Sequence, residues 1–257
     1  MPKHLRLLTV LFLVVFFSLT QLAPGQFRLE SQSFKLGIRS EYFSRTLSSE
    51  VEEEKPQLAA YLINLALRYD LRAGFSLAIL LGYASSNYQD LIFRQVPFSI
   101  DFEGSGISGF VVGAEVEKSL LSQNNLEVDF LCQFLACLGI KKEFDIPDLA
   151  VPGSIKAKPS WMRAAVGPVF MLTGWEGIRP YIYPCYNYLW GTFSMDQTVQ
   201  SLEGTEKKKI KAKSQFGVLF GTGLKISEKF ELKAEAGLYP RQGGSDYSVM
   251  VQALFGF

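Results

Sequence analysis

The dominant pattern along this chain is alternation with a period of two. The clearest stretch puts Ala59, Tyr61, Ile63, Leu65, Leu67 and Tyr69 on one face and Asn64, Ala66, Arg68 and Asp70 on the other. Successive side chains of a strand point to opposite faces, so the pattern predicts strands whose two faces meet different surroundings. Phe75, Leu77, Ile79, Leu81 and Tyr83 alternate with Gly74, Ser76, Ala78 and Gly82 in the same way. Leu126, Val128, Phe130, Cys132, Phe134 and Ala136 alternate with Glu127, Asp129 and Gln133. Further on, Phe216, Val218, Phe220, Leu224 and Ile226 oppose Gly217, Gly221, Gly223 and Lys225, and Phe230, Leu232, Ala234, Ala236 and Leu238 oppose Glu231, Lys233, Glu235 and Gly237. One face is apolar, with aromatics toward its ends; the other is small, polar or charged.

Ten strands are expected, over 27–46, 58–71, 73–86, 105–119, 125–142, 158–173, 177–193, 212–227, 229–240 and 245–257. Most exceed the five or six residues (roughly) of a soluble strand and suit the roughly 9–11 residues a tilted strand needs to cross a bilayer. The connections near Arg72, Gln123, Trp175 and Glu228 read as tight. Those near Glu53, Arg94, Pro147 and Glu203 read as long and polar, and the one near Gln242 as short. Tight turns at one end and long loops at the other are the asymmetry of a membrane barrel, and an even strand count puts both chain ends on the tight-turn side. The expected fold is all-β: a closed antiparallel transmembrane β-barrel of about ten strands, connected as an up-and-down meander, over 26–257. Proline removes a ladder donor. Pro180 fits a strand start, whereas Pro168 and Pro184 should mark bulges or an interrupted ladder.

The N-terminus has another character. Lys3, His4 and Arg6 precede an apolar run from Leu7 to Leu19, and Ala23 and Gly25 stand ahead of Gln26. Basic, apolar and small-residue regions in this order are the layout of a cleaved signal peptide, assigned to 1–25, and the run is short for a spanning helix. An exported chain that is 48% hydrophobic and 14% aromatic, with no later apolar run of helical length, again points to a barrel.

Charge excludes more than it suggests. The formal net charge is +1, and loss of Lys3 and Arg6 turns it to −1, so no nucleic-acid footprint is expected. Cys132, Cys137 and Cys185 are odd in number and read as small packing residues.

The last strand carries Tyr247, Val249, Val251, Ala253, Phe255 and Phe257 at every second position. With this ending, and with the phrases "LRYDLRAGFSLAILLGYASS" and "IRPYIYPCYNYLWGTF", the chain resembles the bacterial outer-membrane β-barrel domain families of small porin-like barrels. The resemblance covers the mature chain through strand pattern, loop asymmetry and end motif. It implies a Gram-negative outer-membrane location with periplasmic termini, contact with outer-membrane lipids and lipopolysaccharide, and an assembly signal in Phe255 and Phe257 read by the barrel-assembly machinery. Barrel enzymes of the outer membrane rely on a histidine beside a serine or carboxylate. The only histidine here is His4, inside the leader, so no catalytic, cofactor or metal site is expected.

What remains is charge on the inward register: Arg68, Asp70, Glu115, Glu117, Glu127, Asp129, Arg163, Arg179, Lys225, Glu231, Lys233 and Glu235. Mixed signs in a narrow lumen favour a paired network that closes the barrel over an ion-lined passage. Arg179, Lys225, Glu231 and Glu235 are expected to share one layer. Two loop clusters, Glu50 with Glu52 to Glu54 and Lys207, Lys208, Lys209, Lys211 and Lys213, read as solvated loops, the lysines being also a candidate polyanion contact. Tyr42, Tyr61, Tyr69, Tyr83, Trp161, Tyr186, Tyr188 and Trp190 read as rings at the membrane boundaries. The functional expectation is a monomeric outer-membrane barrel with a structural or surface-interaction role. A narrow porin, or a soluble barrel holding an apolar ligand, are the alternatives.

Overall fold

A computed structural model describes residues 33–48, 55–71, 74–123, 125–146 and 153–257. The leader at 1–25 and the acidic cluster at 50–54 lie outside the described residues. Twelve strands follow one another: β1 (Ser33–Thr46), β2 (Gln57–Asp70), β3 (Phe75–Phe93), β4 (Ile100–Gln123), β5 (Leu126–Gly139), β6 (Lys142–Asp145), β7 (Gly153–Leu172), β8 (Ile178–Val199), β9 (Leu202–Lys211), β10 (Phe216–Ser227), β11 (Phe230–Arg241) and β12 (Gly244–Gly256). Ten of them form a closed antiparallel ring in the order β1-β2-β3-β4-β5-β7-β8-β10-β11-β12, sealed by pairing of β12 with β1. The short β6 and β9 pair with the upper parts of β7 and β8 and continue the wall beyond the ring.

Each of the ten expected strands has its counterpart in the ring, and the expected faces hold. On β2 the outward Tyr61, Ile63 and Leu65 are exposed, while Leu62, Asn64 and Ala66 between them are buried in the lumen. The same parity runs around the barrel, and large apolar side chains such as Phe110 (61% exposed) and Phe216 (69%) stand bare on the outer face. In water so many exposed apolar side chains would be costly; against hydrocarbon they are the satisfied state, and the closed ladder pairs the backbone. Tyr42, Tyr61, Tyr83, Tyr186 and Tyr247 ring this belt at the loop end, and Phe34, Phe230, Phe255 and Phe257 ring it at the turn end. Trp161 is a correction. It shares parity with Arg163, points into the lumen, and is 1% exposed against the Phe43 ring at 5.3 Å.

The two prolines interrupt the ladder as expected. Pairing of β7 with β8 runs to Val166↔Tyr186 and resumes at Phe170↔Ile182, so Pro168 and Pro184 face each other in the gap, neither with a proton to donate. Cys132 points outward, whereas Cys137 and Cys185 are buried inside, and all three are free.

The loop end departs from expectation. The connections near Arg94 and Glu203 are not long loops, because the strands themselves extend: β4 has 24 residues and β8 has 22, against 14 for β2. Chain reversal between β8 and β9 takes only Gln200 and Ser201, with Gln200 at a positive φ of 54°. Lys207, Lys208, Lys209 and Lys211 therefore lie on a strand, and Lys213 follows just past its end. Outward polar residues above the belt, Ser85, Asn87 and Gln89 on β3 and Thr192, Ser194 and Asp196 on β8, show that these extensions stand in water. Glu206 on β9 accepts the backbone N–H groups of Arg94 (2.8 Å) and Gln95 (2.6 Å), tying the β3–β4 tip to the β8–β9 hairpin.

Candidate functional site: a three-layered lumen

The interior changes character with height. At the loop end it is an aromatic plug. Phe193 meets Tyr88 at 4.8 Å, Phe102 at 5.2 Å and Phe93 at 5.4 Å between ring centroids, and Phe43, Leu62, Leu80, Ile107, Trp161 and Met195 are all at most 1% exposed around them. None of these residues belongs to the inward charges expected from sequence.

Below the plug lies a buried ionic layer anchored on β1. Glu41 accepts hydrogen bonds from Arg163 (2.9 Å) and Arg39 (3.1 Å). Arg39 also donates to Glu115, which takes a second hydrogen bond from the Gln133 amide. Arg163 closes the loop to Gln133 at 3.2 Å. One level up, Arg45 donates to Asn187 (2.9 Å) and to the Ser214 carbonyl (2.6 Å), with its guanidinium 4.0 Å over the Tyr239 ring. Asp246 on β12 accepts from the Thr46 amide at 2.9 Å and from Arg241 at 3.0 Å. Tyr239 and Tyr181 reach across because their neighbours are glycines: a Cβ on Gly217 would come 2.4 Å from the Tyr239 ring, and one on Gly221 would come 2.2 Å from Tyr181.

At the turn end the lumen widens into a cavity of about 320 Å³. Lys35 bridges Asp70 (3.1 Å) and Glu231 (3.0 Å), and Arg68 bridges Asp70 (2.8 Å) and Glu117 (3.1 Å). Glu127, Asp129, Arg179 and Lys225 line the same cavity and form no ion pair among the described residues. Lys225 and Glu231 face each other across β10 and β11 and line this cavity together with Arg179, so these three share the expected layer, but no ion pair joins them among the described residues, and Glu235 leaves it. Glu235 is drawn upward, accepting from the Tyr181 hydroxyl at 2.6 Å and lying 3.8 Å from Lys233. The physical reason is solvent: Arg179 and Lys225 sit at the hydrated rim, where a partner adds little.

Sequence reasoning thus placed Arg68, Asp70, Glu115, Glu117, Arg163, Glu231, Lys233 and Glu235 inside, but missed Lys35, Arg39, Glu41 and Arg45, the members that join the others. The one available signal was parity: these four alternate with Leu36, Ile38, Ser40, Tyr42 and Ser44, an outward face diluted by two serines. Among the described residues no three His, Cys, Asp or Glu side chains converge to hold a metal ion.

The lysine cluster divides by strand parity. Lys207, Lys209 and Lys211 point outward. Lys208 points inward, donates to the Ile92 carbonyl and lies 5.3 Å from the Phe93 ring, so it is no surface contact. At the chain end, Phe255 stacks on Phe230 at 4.5 Å and Phe257, 78% exposed, lies 6.3 Å from Phe34.

Closed ring, even strand count and apolar outer face together decide the architecture. The fold is that of a transmembrane β-barrel. No family model matches the chain, and no curated protein matches it. Among solved structures it is similar to the outer membrane protease OmpT from Escherichia coli, with 12% identity, a TM-score of 0.48, and 90% of this chain and 98% of that one covered. It is also similar to the translocator domain of the autotransporter NalP from Neisseria meningitidis, with 6% identity, a TM-score of 0.47 and 96% of each chain covered. A third is a major outer membrane protein from Thermus thermophilus, with 8% identity, a TM-score of 0.43, and 89% of this chain and all of that one covered.

Proposed function

We propose that the protein is an integral outer-membrane barrel, monomeric and closed to solutes, which acts as a structural or surface-interacting element through the strand extensions at its loop end. The observation that carries this reading is an apolar outer belt surrounding a lumen filled by the Phe193 plug and the Glu41 ionic layer. Both chain ends of the barrel lie at the turn end, which this reading places in the periplasm. No catalytic step belongs to it, in keeping with a chain whose only histidine is His4.

The refolded protein should migrate differently on a denaturing gel when left unboiled, and should give conductance near zero in a planar bilayer. A stable ion-selective conductance, shifted in selectivity by Glu231→Lys, would refute the closed reading in favour of a narrow porin. Recovery from the soluble periplasm without detergent would instead favour a carrier of apolar ligands.

The last strand supports a second element of the reading, recognition of Phe255 and Phe257 by the barrel-assembly machinery. Phe257 is far more exposed than its belt neighbours Phe34 and Phe255, and its ring meets that of Phe34. Deleting Phe257 should slow appearance of the heat-modifiable form in cells while leaving refolding in detergent micelles unchanged. Equal slowing in both settings would assign the residue to barrel stability instead.

A further inference from the structure

We infer that the outward lysines of β7 and β9, just above the aromatic rim, form a binding site for the phosphate groups of a lipid headgroup in the leaflet at the loop end. The inference rests on the membrane reading above and adds a ligand class and the residues that hold it.

The site follows from register. Met162, Trp190 and Lys211 lie side by side on β7, β8 and β9; the next row up is Ser160, Thr192 and Lys209; the next is Lys158, Ser194 and Lys207. Facing residues of adjacent strands share a side of the sheet, so all nine point outward. Rows are about 7 Å apart along the strand and columns about 5 Å apart across it. The lowest row sets the height. Lys211 holds its ammonium 5.2 Å from the Tyr188 ring, which stacks on Trp190 at 5.1 Å, so this lysine marks the top of the aromatic rim. Lys209, Lys207 and Lys158 then stand one and two rows above the rim, with three hydroxyls between them. That is headgroup depth for a lipid whose chains lie against the belt.

The nearby carboxylates are occupied. Asp196 accepts from Lys141 at 2.6 Å and Thr205 at 3.0 Å, and the Lys141 hydrogen bond holds its carboxyl below the ordinary range. Glu143 lies 3.6 Å from Lys156. Among the described residues, Lys158, Lys207, Lys209 and Lys211 have no carboxylate within ion-pair distance. Three like charges at alternate positions of β9, with a fourth across β8 on β7, repel one another. An anion seated among them removes that cost, and phosphate accepts from several ammonium and hydroxyl donors at once. A soluble polyanion would meet the same charges, but the unbroken passage from apolar belt to aromatic rim to lysines favours a molecule that is itself part lipid.

The test uses the refolded full-length barrel in detergent, titrated with lipid A carrying both phosphates and with dephosphorylated lipid A, bound lipid being counted by native mass spectrometry. Each lysine at an anionic surface is worth roughly fivefold, so the triple variant Lys158→Gln, Lys207→Gln, Lys209→Gln should bind the phosphorylated lipid about a hundredfold more weakly. The native protein should lose a similar factor with the dephosphorylated lipid. Lys156→Gln, already paired to Glu143, should change binding little, and unboiled gel mobility reports that each variant is folded. Equal affinity for both lipids, or no effect of the triple variant on a folded barrel, would overturn the inference and leave the membrane reading standing. Lysine-dependent binding of a sulfated polysaccharide without lipid A binding would assign the patch to a soluble partner and overturn it as well. A protein that fails to insert into phosphatidylcholine vesicles removes the membrane reading and this inference together.

Discussion

Replacing Glu41 with glutamine is expected to destabilise the barrel by about 3–5 kcal/mol, the range for removing one partner of a buried ion pair. Glu41 is 4% exposed and, among the described residues, is the only carboxylate paired with Arg163, while it shares Arg39 with Glu115. Glutamine keeps one acceptor oxygen but no charge, so Arg163 is left buried with neutral partners alone, that amide and Gln133. Equilibrium urea unfolding in micelles, followed by tryptophan fluorescence, measures the effect. Adding Arg163→Met should recover a large part of it, because the uncompensated cation is then gone, and the double-mutant cycle gives the coupling directly. A change below about 1 kcal/mol would mean that water enters the layer and screens it, and the lumen could then no longer be called closed at that height.

Phe193→Ala is expected to cost a similar amount, about 3–5 kcal/mol, by a different mechanism. Its ring touches three other aromatic rings in the plug, and β8 cannot shift inward to fill the gap, since it is paired with β7 on one side and with β9 and β10 on the other. The cavity therefore stays open, and the penalty includes the lost contacts of its lining as well as the lost burial. Conductance should remain near zero, because the Glu41 layer beneath is untouched. Measuring both quantities separates the layers: destabilisation with an ion current would make the plug the sole seal, and no destabilisation would mean the plug is loosely packed.

The outer surface was legible from sequence because hydrocarbon enforces it. A charge on the belt is costly wherever it falls, so Tyr61, Ile63, Leu65 and Leu67 keep strict alternation and reveal both the strand and its facing. The lumen imposes no such uniform rule. Its side chains must fit one another, and that depends on which strands end up opposed, so Glu41 and Arg163, 122 residues apart, carry no local sign of their partnership. The plug was hidden for a related reason. Trp161 and Phe193 are apolar on the inward register, and apolar residues on both faces erase the alternation. The extensions carry no strand signature, because Leu202–Lys211 is polar on its outer face and bears Lys208 and Glu206 on its inner one, a composition that locally matches a solvated loop.

The position of the buried charges on β1 has a kinetic consequence. Arg39, Glu41 and Arg45 find their partners on β4, β7 and β8, and β1 itself meets β12 only when the ring closes. Until that seam forms, these groups remain hydrated and contribute nothing. They are therefore absent from any transition state that precedes closure, and weakening them should accelerate unfolding while leaving the folding rate nearly unchanged. Once zipped, the first strand acts as a latch: the wall cannot peel open at its closing seam without dragging several charges out of their pairs in the same step, which gives the protein persistence in the membrane out of proportion to its equilibrium stability.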